Sequence, residues 1–158
     1  MAKSSLTVAR VMQQLRRTLA GVGDAGTADV TIRARAEALL AHAAHTRVAL
    51  LIANNSGRYI DVNEHATRLT GYSRAELLRM SVWDLTPKPA AAEGRRMWRE
   101  FLRAGQMAGK YTLCRRNGRQ VRADFRAWAH VLPGVHVSAL ATAALIRGAK
   151  TPRRRPAD

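Results

Sequence analysis

The sequence predicts an α+β fold in which a five-stranded antiparallel sheet carries short helices on one face. Three features lead to this prediction. Two strand-like segments joined by a tight turn lie near the middle of the chain, three more lie towards its end, and helix-like segments separate the two groups. A strand pair, then helices, then three strands is the order expected when helices cover one face of an antiparallel sheet.

The first strand pair begins at Arg47, where the helical spacing of apolar residues ends. The run RVALLIA (47–53) is continuously apolar, and RYIDVN (58–63) alternates apolar and polar residues. Both patterns are typical of strands. The segment NNSG (54–57) between them consists of residues that tolerate positive φ angles. We therefore expect two strands joined by a tight turn.

Two short helices come after the strand pair. Asn63 is placed to cap the first helix, and Gly71 is placed to end it in the left-handed conformation. Ser73 and Glu76 then form the pattern S-x-x-E of a capping box, which predicts a second helix to about Arg79.

The second half of the chain predicts a longer helix and the remaining strands. A helical turn at SVWDL (81–85) and a proline-bounded loop precede an amphipathic helix over 91–104. Its apolar side contains Met97, Trp98, Phe101 and Leu102. The three strands are then 109–116, 119–131 and 133–143, and Asn117-Gly118 is the hairpin signal between the first two.

The ends of the chain differ from this central unit. Residues 1–46 contain two amphipathic helical patterns, 4–22 and 28–46, separated by a glycine-rich break. Neither has enough apolar area to be stable alone, so we expect them to dock or to dimerise. Residues 142–158 form a basic, proline-containing tail that we expect to be disordered.

Composition excludes several classes of protein. No apolar run reaches the roughly 18 residues of a membrane span, and the N-terminus has no signal-peptide pattern. One cysteine, Cys114, allows neither an internal disulfide nor a CxxC metal pair, so we expect a cytoplasmic protein. There is no phosphate-binding glycine loop, HExxH or GxSxG motif, and we expect no enzymatic activity.

The net charge of +16 raises nucleic acid as a partner. The excess charge is spread along the chain rather than concentrated in one segment, and most of the basic residues are arginines. Arginine enrichment is also what a GC-rich genome produces. Charge alone therefore gives nucleic-acid binding only weak support.

The order of these motifs resembles a PAS domain. ALLIANNSGRYIDVNEHATRLTGYSRAELLRMSVWDLTP is similar to the first half of such a domain, with its Thr-Gly-Tyr-Ser break followed by ELL. GKYTLCRRNGRQVRADFRAWAHVLPGVHVSALA is similar to the second half. The resemblance covers residues 47–141, some 60% of the chain. It implies a sensory or regulatory module with a cavity between sheet and helices, often dimeric through a helix that precedes the first strand.

The resemblance gives candidate residues for a ligand pocket. Aromatic residues of the helical segments and strands are the first candidates, since buried tyrosine and tryptophan need partners for their polar atoms. His136 is the histidine best placed for a cavity. The full candidate set is Asn63, Tyr72, Trp83, Trp98, Tyr111, Phe125 and His136.

Two cofactors that PAS domains bind are not expected here. Heme-binding members usually supply an axial histidine from the long helix, which contains none in this sequence. His42 and His45 could share one helix face, but no third ligand lies near them, so we expect no metal site. The light-sensing flavin members carry a reactive cysteine in a helical segment, whereas Cys114 lies near the end of a strand. The identity of any cofactor stays open.

The strand over 119–131 predicts a docking surface. Val121, Ala123, Phe125, Ala127 and Ala129 share one face, which is core or cavity wall, and the alternating residues share the other. Trp128 is then an apolar ring on the solvent side, which implies that something covers it. We expect the helix over 28–46, from the same chain or a second copy, to pack there. The candidate surface contains Ile32, Leu39, Leu40, Arg126, Trp128 and His130.

The resemblance implies two functions. The first is a stand-alone bacterial PAS sensor or adaptor, a homodimer that binds a small molecule or a protein partner and signals through helix packing. The second is a ligand-free interaction module that regulates a separate kinase or transcription regulator. A basic accessory protein on nucleic acid is the third interpretation, and its binding would weaken steeply with salt.

Overall fold

The computed structural model describes residues 47–87 and 91–144, together with residues 9, 10, 13, 17, 37, 40 and 41. Residues 37, 40 and 41 are helical. The predictions for Ile32, Leu39, His42, His45 and the tail beyond residue 144 fall outside the described residues. Within those residues, no helix has the length and hydropathy to cross a bilayer.

The described chain forms one antiparallel sheet with helices on one face, as predicted. The sheet contains β1 (Ala49–Ala53), β2 (Tyr59–Val62), β3 (Gln106–Cys114), β4 (Gln120–Leu132) and β5 (Val135–Ala141). Its strand order is β2-β1-β5-β4-β3, and every neighbouring pair is antiparallel. The helices are α1 (Glu64–Thr70), α2 (Arg74–Leu77), a 3-10 helix (Val82–Leu85) and α3 (Ala91–Ala104).

The two short helices begin and end at the predicted residues, apart from one boundary. Asn63 caps α1 by accepting a hydrogen bond from the backbone N–H of Ala66, and Gly71 ends it at φ 77°. Ser73 and Glu76 form the complete capping box of α2. This helix ends before Arg79, because the N–H groups of Arg79 and Met80 bond to carbonyls three residues back and tighten the chain into a turn.

The strand boundaries differ from the predicted ones at β3. The strand begins at Gln106, three residues earlier than the sequence pattern indicated, because Gly105 turns the chain at φ 83° directly after α3. Gln106 then pairs with Trp128 of β4. The Asn117-Gly118 hairpin is present, with Gly118 at φ 82°.

The sheet separates two apolar clusters. The outer cluster contains Leu50, Ile52 and Val137, with Leu40 and Trp128 packed against it. The inner cluster joins the opposite faces of the same strands to α1, α2 and α3. Successive residues of β4 therefore contact the inner and the outer cluster in turn, as the strand periodicity predicted.

The turn between β1 and β2 is held by a close contact with Trp83. Gly57 has φ 77°, and a Cβ atom placed on it would lie 2.6 Å from Cζ3 of Trp83. That distance is inside van der Waals contact, and the backbone conformation is one that residues other than glycine adopt only with strain.

We expect Gly57→Ala to lower the free energy of unfolding by about 2–4 kcal/mol, because strain at positive φ adds to the clash with the indole. Urea denaturation monitored by circular dichroism measures the loss. The matched control is Gly118→Ala, at φ 82° with no atom within 4 Å of the new Cβ, which has only the backbone strain of about 1–2 kcal/mol. Equal losses in the two variants would contradict the role of Trp83.

Candidate functional site

A cavity of about 90 Å³ lies between the inner face of the sheet and the helices. Aliphatic and aromatic side chains from β1, β3, β4, β5 and α3 form most of its wall. Its lining residues are Leu51, Tyr59, Leu69, Thr70, Val82, Leu85, Thr86, Gly94, Met97, Trp98, Phe101, Met107, Tyr111, Leu113, Phe125, Ala127, Ser138 and Leu140. Apolar concave sites with a few polar groups are the usual form of small-molecule sites in proteins.

Most of the polar side-chain groups of the cavity wall are hydroxyls, and the indole N–H of Trp98 is the exception among the lining residues. Thr86 Oγ1 and Tyr111 Oη are hydrogen-bonded to each other, which joins the end of the 3-10 helix to β3. Tyr111 also packs edge-on against Phe125, with ring centroids 5.9 Å apart. Burial raises the pKa of Tyr111. Burial, and then the neighbouring Tyr111 and Asp84, raise the pKa of Tyr59 well above its usual range. Both phenols therefore stay protonated at neutral pH.

The structure places three of the seven candidate pocket residues at the cavity. Trp98, Tyr111 and Phe125 line it. Tyr72 packs against the inner cluster without lining the cavity, and Trp83 lies beneath the β1–β2 turn with the Arg95 guanidinium 5.6 Å from its ring centroid.

Asn63 joins the first strand to the first helix instead of facing the cavity. Its Oδ1 accepts hydrogen bonds from the N–H of Leu50 at 2.9 Å and of Ala66 at 3.0 Å. Its Nδ2 donates to the carbonyl of Val48 at 2.9 Å. The side chain thus makes three hydrogen bonds to backbone, and its role is structural.

His136 lies on the inner face of β5 but belongs to a hydrogen-bonded network beside the cavity. Its Nε2 donates to Asn55 Oδ1 at 2.8 Å, and its Nδ1 accepts from the N–H of His130 at 2.9 Å. The acceptor role of Nδ1 fixes the tautomer with the proton on Nε2. Asn55 also accepts, through its backbone carbonyl, a hydrogen bond from the indole of Trp98 at 3.3 Å. The network therefore connects a cavity-lining residue to the β1–β2 turn.

His130 does not lie on the outer face, and that part of the docking-surface prediction is wrong. The register of β4 and β5 shifts between Trp128 and Leu132, and His130 has φ 54°. This bulge turns the His130 ring towards α3, where its Nε2 is 3.1 Å from the carbonyl of Leu102. The ring also lies edge-on to His136, with centroids 4.7 Å apart.

The outer sheet face carries the rest of the candidate docking surface that the structure describes. Trp128 is half-buried and packs with Leu40 against the outer cluster. Arg126 lies on the same strand and borders a groove with Trp128, Gln106, Met107 and Ala108. The structure thus brings Leu40, from the segment before β1, to the cluster on which Trp128 packs.

Sequence reasoning identified Tyr111 but missed its hydrogen-bond partner Thr86, and it missed Tyr59. The sequence pattern places Thr86 in a loop and Tyr59 in a strand, and indicates neither as a site residue. Alternation along β2 does not locate Tyr59. Tyr59 and Val62 both pack in the inner cluster, where an unbroken strand would put them on opposite faces, because the register of β1 and β2 shifts between Ile52 and Ala53. No sequence signal places Thr86 opposite Tyr111, because the contact joins residues 25 positions apart.

The described residues contain no group of three or more metal-ligating side chains that could hold an ion. Cys114 is a half-buried free thiol whose Sγ is 3.7 Å from the carbonyl of Arg115.

The network around His136 makes stability depend on pH. Burial, with a further contribution from His130, lowers the pKa of His136 to about 4, compared with 6.5 in an unfolded chain. Between these values the unfolded chain binds a proton that the folded protein does not. We therefore expect the free energy of unfolding to fall as the pH drops from about 6.5 to about 4, by at most about 3 kcal/mol, because solvent screens part of the effect.

We expect His136→Gln to remove this part of the pH dependence, because glutamine does not titrate. Chemical denaturation at a series of pH values between 4 and 7 measures it, and the slope is the informative quantity even if the variant is less stable overall. His65→Gln is the comparison variant: burial also lowers the pKa of His65, but not by a large shift, so this variant should remove a smaller part of the slope than His136→Gln does. A slope unchanged in His136→Gln would show that other groups produce it.

Comparison with known proteins agrees with this geometry. A family model described as a PAS domain matches residues 47–132. No curated protein matches the sequence. A domain of the sensory box sensor histidine kinase/response regulator from Geobacter sulfurreducens is 23% identical, with a TM-score of 0.57, over 74% of this chain and 100% of that one.

Two further similar structures contain ligands. The PAS domain of a transcriptional regulator in the LuxR family from Burkholderia thailandensis, in complex with ethanol, is 17% identical with a TM-score of 0.50, over 60% of this chain and 87% of that one. The RpfR quorum-sensing receptor PAS domain from Cronobacter turicensis, in complex with BDSF, is 19% identical with a TM-score of 0.53, over 63% and 97%. At these identities the similarity shows the fold alone.

The family model covers more than half of the chain, and its match begins two residues before β1 and ends with β4. The resemblance seen in the sequence is therefore confirmed: this chain belongs to the PAS domain family, whose members are commonly sensor modules in signal transduction.

Proposed function

We propose that this protein is a non-catalytic PAS sensor or adaptor that binds a small molecule in its inner cavity. It acts as a homodimer and signals by changing the packing of helices on the outer face of its sheet. An effector such as a kinase or a transcription regulator receives the signal.

The observation that supports this proposal most directly is the cavity itself. A closely packed core leaves few voids larger than a water molecule. A cavity of about 90 Å³ walled by Trp98, Phe101 and Phe125 is much larger than a water site and has the composition of a ligand site. The two similar PAS structures that hold ethanol and BDSF support the same assignment.

The outer face is the proposed site of output because one strand borders both regions. Phe125 and Ala127 of β4 line the cavity, and Trp128 packs on the outer cluster with Leu40. A ligand that shifts β4 changes the surface on which the segment before β1 packs. It shifts the equilibrium between two packings only if it binds one of them more tightly.

The proposal for an effector rests on the similar structures. One is part of a sensor histidine kinase/response regulator and another is part of a transcriptional regulator. Each joins a PAS domain to an output function.

We expect Ala127→Leu to abolish ligand binding, because Ala127 is buried in the cavity wall and a larger side chain there fills the space. Native mass spectrometry of protein purified gently from its source cell, beside a visible absorption spectrum, measures bound mass and any coloured cofactor. Wild-type protein carries a stoichiometric added mass, and the variant loses it.

The matched control is Ala129→Leu, the same substitution on the same strand at a position that does not line the cavity. It keeps the bound mass. Wild-type protein with no added mass and no colour would contradict ligand binding, and would favour the ligand-free interaction module as the function of the same fold.

We expect Trp128→Glu to raise the dimer dissociation constant by roughly 30-fold or more, because it places a charge in an apolar interface and removes an aromatic anchor. Size-exclusion chromatography with light scattering over a concentration series measures the change. Arg122→Glu is the control, since Arg122 lies on the same strand and is exposed outside the outer cluster. A dimer mass unchanged in Trp128→Glu would exclude the proposed interface.

A further inference from the structure

We propose that the cavity is specific for a small uncharged molecule with an apolar body and one hydroxyl group, and that the hydroxyls of Thr86 and Tyr111 bind that group. This inference rests on the proposed function, because it requires the cavity to be a ligand site.

The volume limits the size of the ligand. A cavity of about 150 Å³ accommodates benzene, which has six heavy atoms. The cavity in this protein measures about 90 Å³, so in proportion it encloses roughly four heavy atoms of a ligand. The cavity is not fully enclosed, so a fifth heavy atom can extend towards its opening.

The composition of the wall disfavours a charged ligand. Among the residues that the structure describes, none of those lining the cavity is acidic, basic or a histidine. Arg95 comes directly after the lining residue Gly94 in sequence, but its guanidinium stacks over Trp83 rather than facing the cavity. A carboxylate or an ammonium ion would lose its hydration here without gaining an opposite charge, which is strongly unfavourable.

The tyrosines do not supply a charge either. Burial raises the pKa values of Tyr59 and Tyr111, so both are neutral phenols at neutral pH. A cationic ligand therefore finds no phenolate to pair with.

Tyr59, Thr70 and Ser138 also bring hydroxyls to the wall, but Thr86 and Tyr111 are the two lining residues whose hydroxyls are hydrogen-bonded to each other, and this pair is the proposed recognition group. When Thr86 and Tyr111 are bonded to each other, one hydroxyl donates and the other accepts. The accepting hydroxyl keeps its own hydrogen for donation, and both oxygens keep lone pairs. A ligand hydroxyl can therefore accept from one residue and donate to the other, which an amine cation or an alkane cannot do.

The hydroxyl pair lies where the end of the 3-10 helix meets β3. Thr86 is the residue that ends the 3-10 helix, and Tyr111 lies in the middle of β3. A ligand hydroxyl inserted between them changes the distance between the helical segment and the sheet. Ligand recognition and the conformational change are then the same event.

Three probes of five heavy atoms each test the proposal on wild-type protein freed of bound ligand: 1-butanol, n-pentane and propionate. Titrations followed by two-dimensional NMR report shifts of backbone amides around the cavity, among them those of Phe125 and Tyr111. We expect 1-butanol to bind roughly tenfold more tightly than n-pentane, as one added neutral hydrogen bond predicts. We expect propionate to leave the cavity resonances unshifted.

The isosteric variants Thr86→Val and Tyr111→Phe each remove one hydroxyl. We expect both to weaken 1-butanol binding to the level of n-pentane while leaving n-pentane binding unchanged. Tyr72→Phe removes a hydroxyl from a tyrosine outside the cavity wall and changes neither affinity.

The outcomes separate the two proposals. If n-pentane binds wild-type protein as tightly as 1-butanol, or propionate binds equally well, the recognition of a neutral hydroxyl is wrong while the cavity remains a ligand site. If none of the three probes shifts the cavity resonances, the proposed ligand-binding function fails together with this inference.

Discussion

The three hydrogen bonds of the Asn63 side chain fix the corner between β1 and α1, and the width of the cavity depends on this corner. One amide joins the backbone of Val48 and Leu50 in the first strand region to the first turn of α1 at Ala66. The backbone N–H of Asn63 adds a fourth bond, to the carbonyl of Leu50. Because the cavity is the space between the helices and the sheet, its width depends on where this corner sets the first helix. The side chain that caps α1 thus also determines the width of the cavity.

Local signals predicted the elements well because their causes are local. The helix cap at Asn63, the left-handed Gly71 and the capping box of Ser73 all depend on residues within a few positions of one another. Alternation along β4 likewise predicted which residues face the helices and which face outward. What the sequence did not determine is how far α3 and the 3-10 helix stand from the sheet. That distance determines which tryptophan lines the cavity: Trp98 does, and Trp83 does not.

The position of His130 shows where a strand pattern fails. Alternation assumes an unbroken strand, and a bulge adds a residue that reverses the face on which the later residues of the strand lie. Pro133 and Gly134 follow closely but form the turn between β4 and β5, and the bulge itself, at Ala129 to Val131, contains neither glycine nor proline. The bulge is stabilised instead by distant groups: its N–H donates to His136 and its ring contacts the carbonyl of Leu102. Such contacts exist only in the folded chain, so no local pattern could reveal them.

Among the residues that the structure describes, β3 forms an unpaired edge of the sheet, and the positive charge of the chain affects how this edge behaves. β3 is the last strand in the sheet order, and its nine residues are mostly exposed or half-buried. A long open edge invites a strand from another molecule and so leads to aggregation. Lys110 lies in the middle of this edge, and the net charge of +16 makes copies of the chain repel one another. The positive charge of the arginines therefore opposes association of copies at this edge, and this repulsion is screened as ionic strength rises.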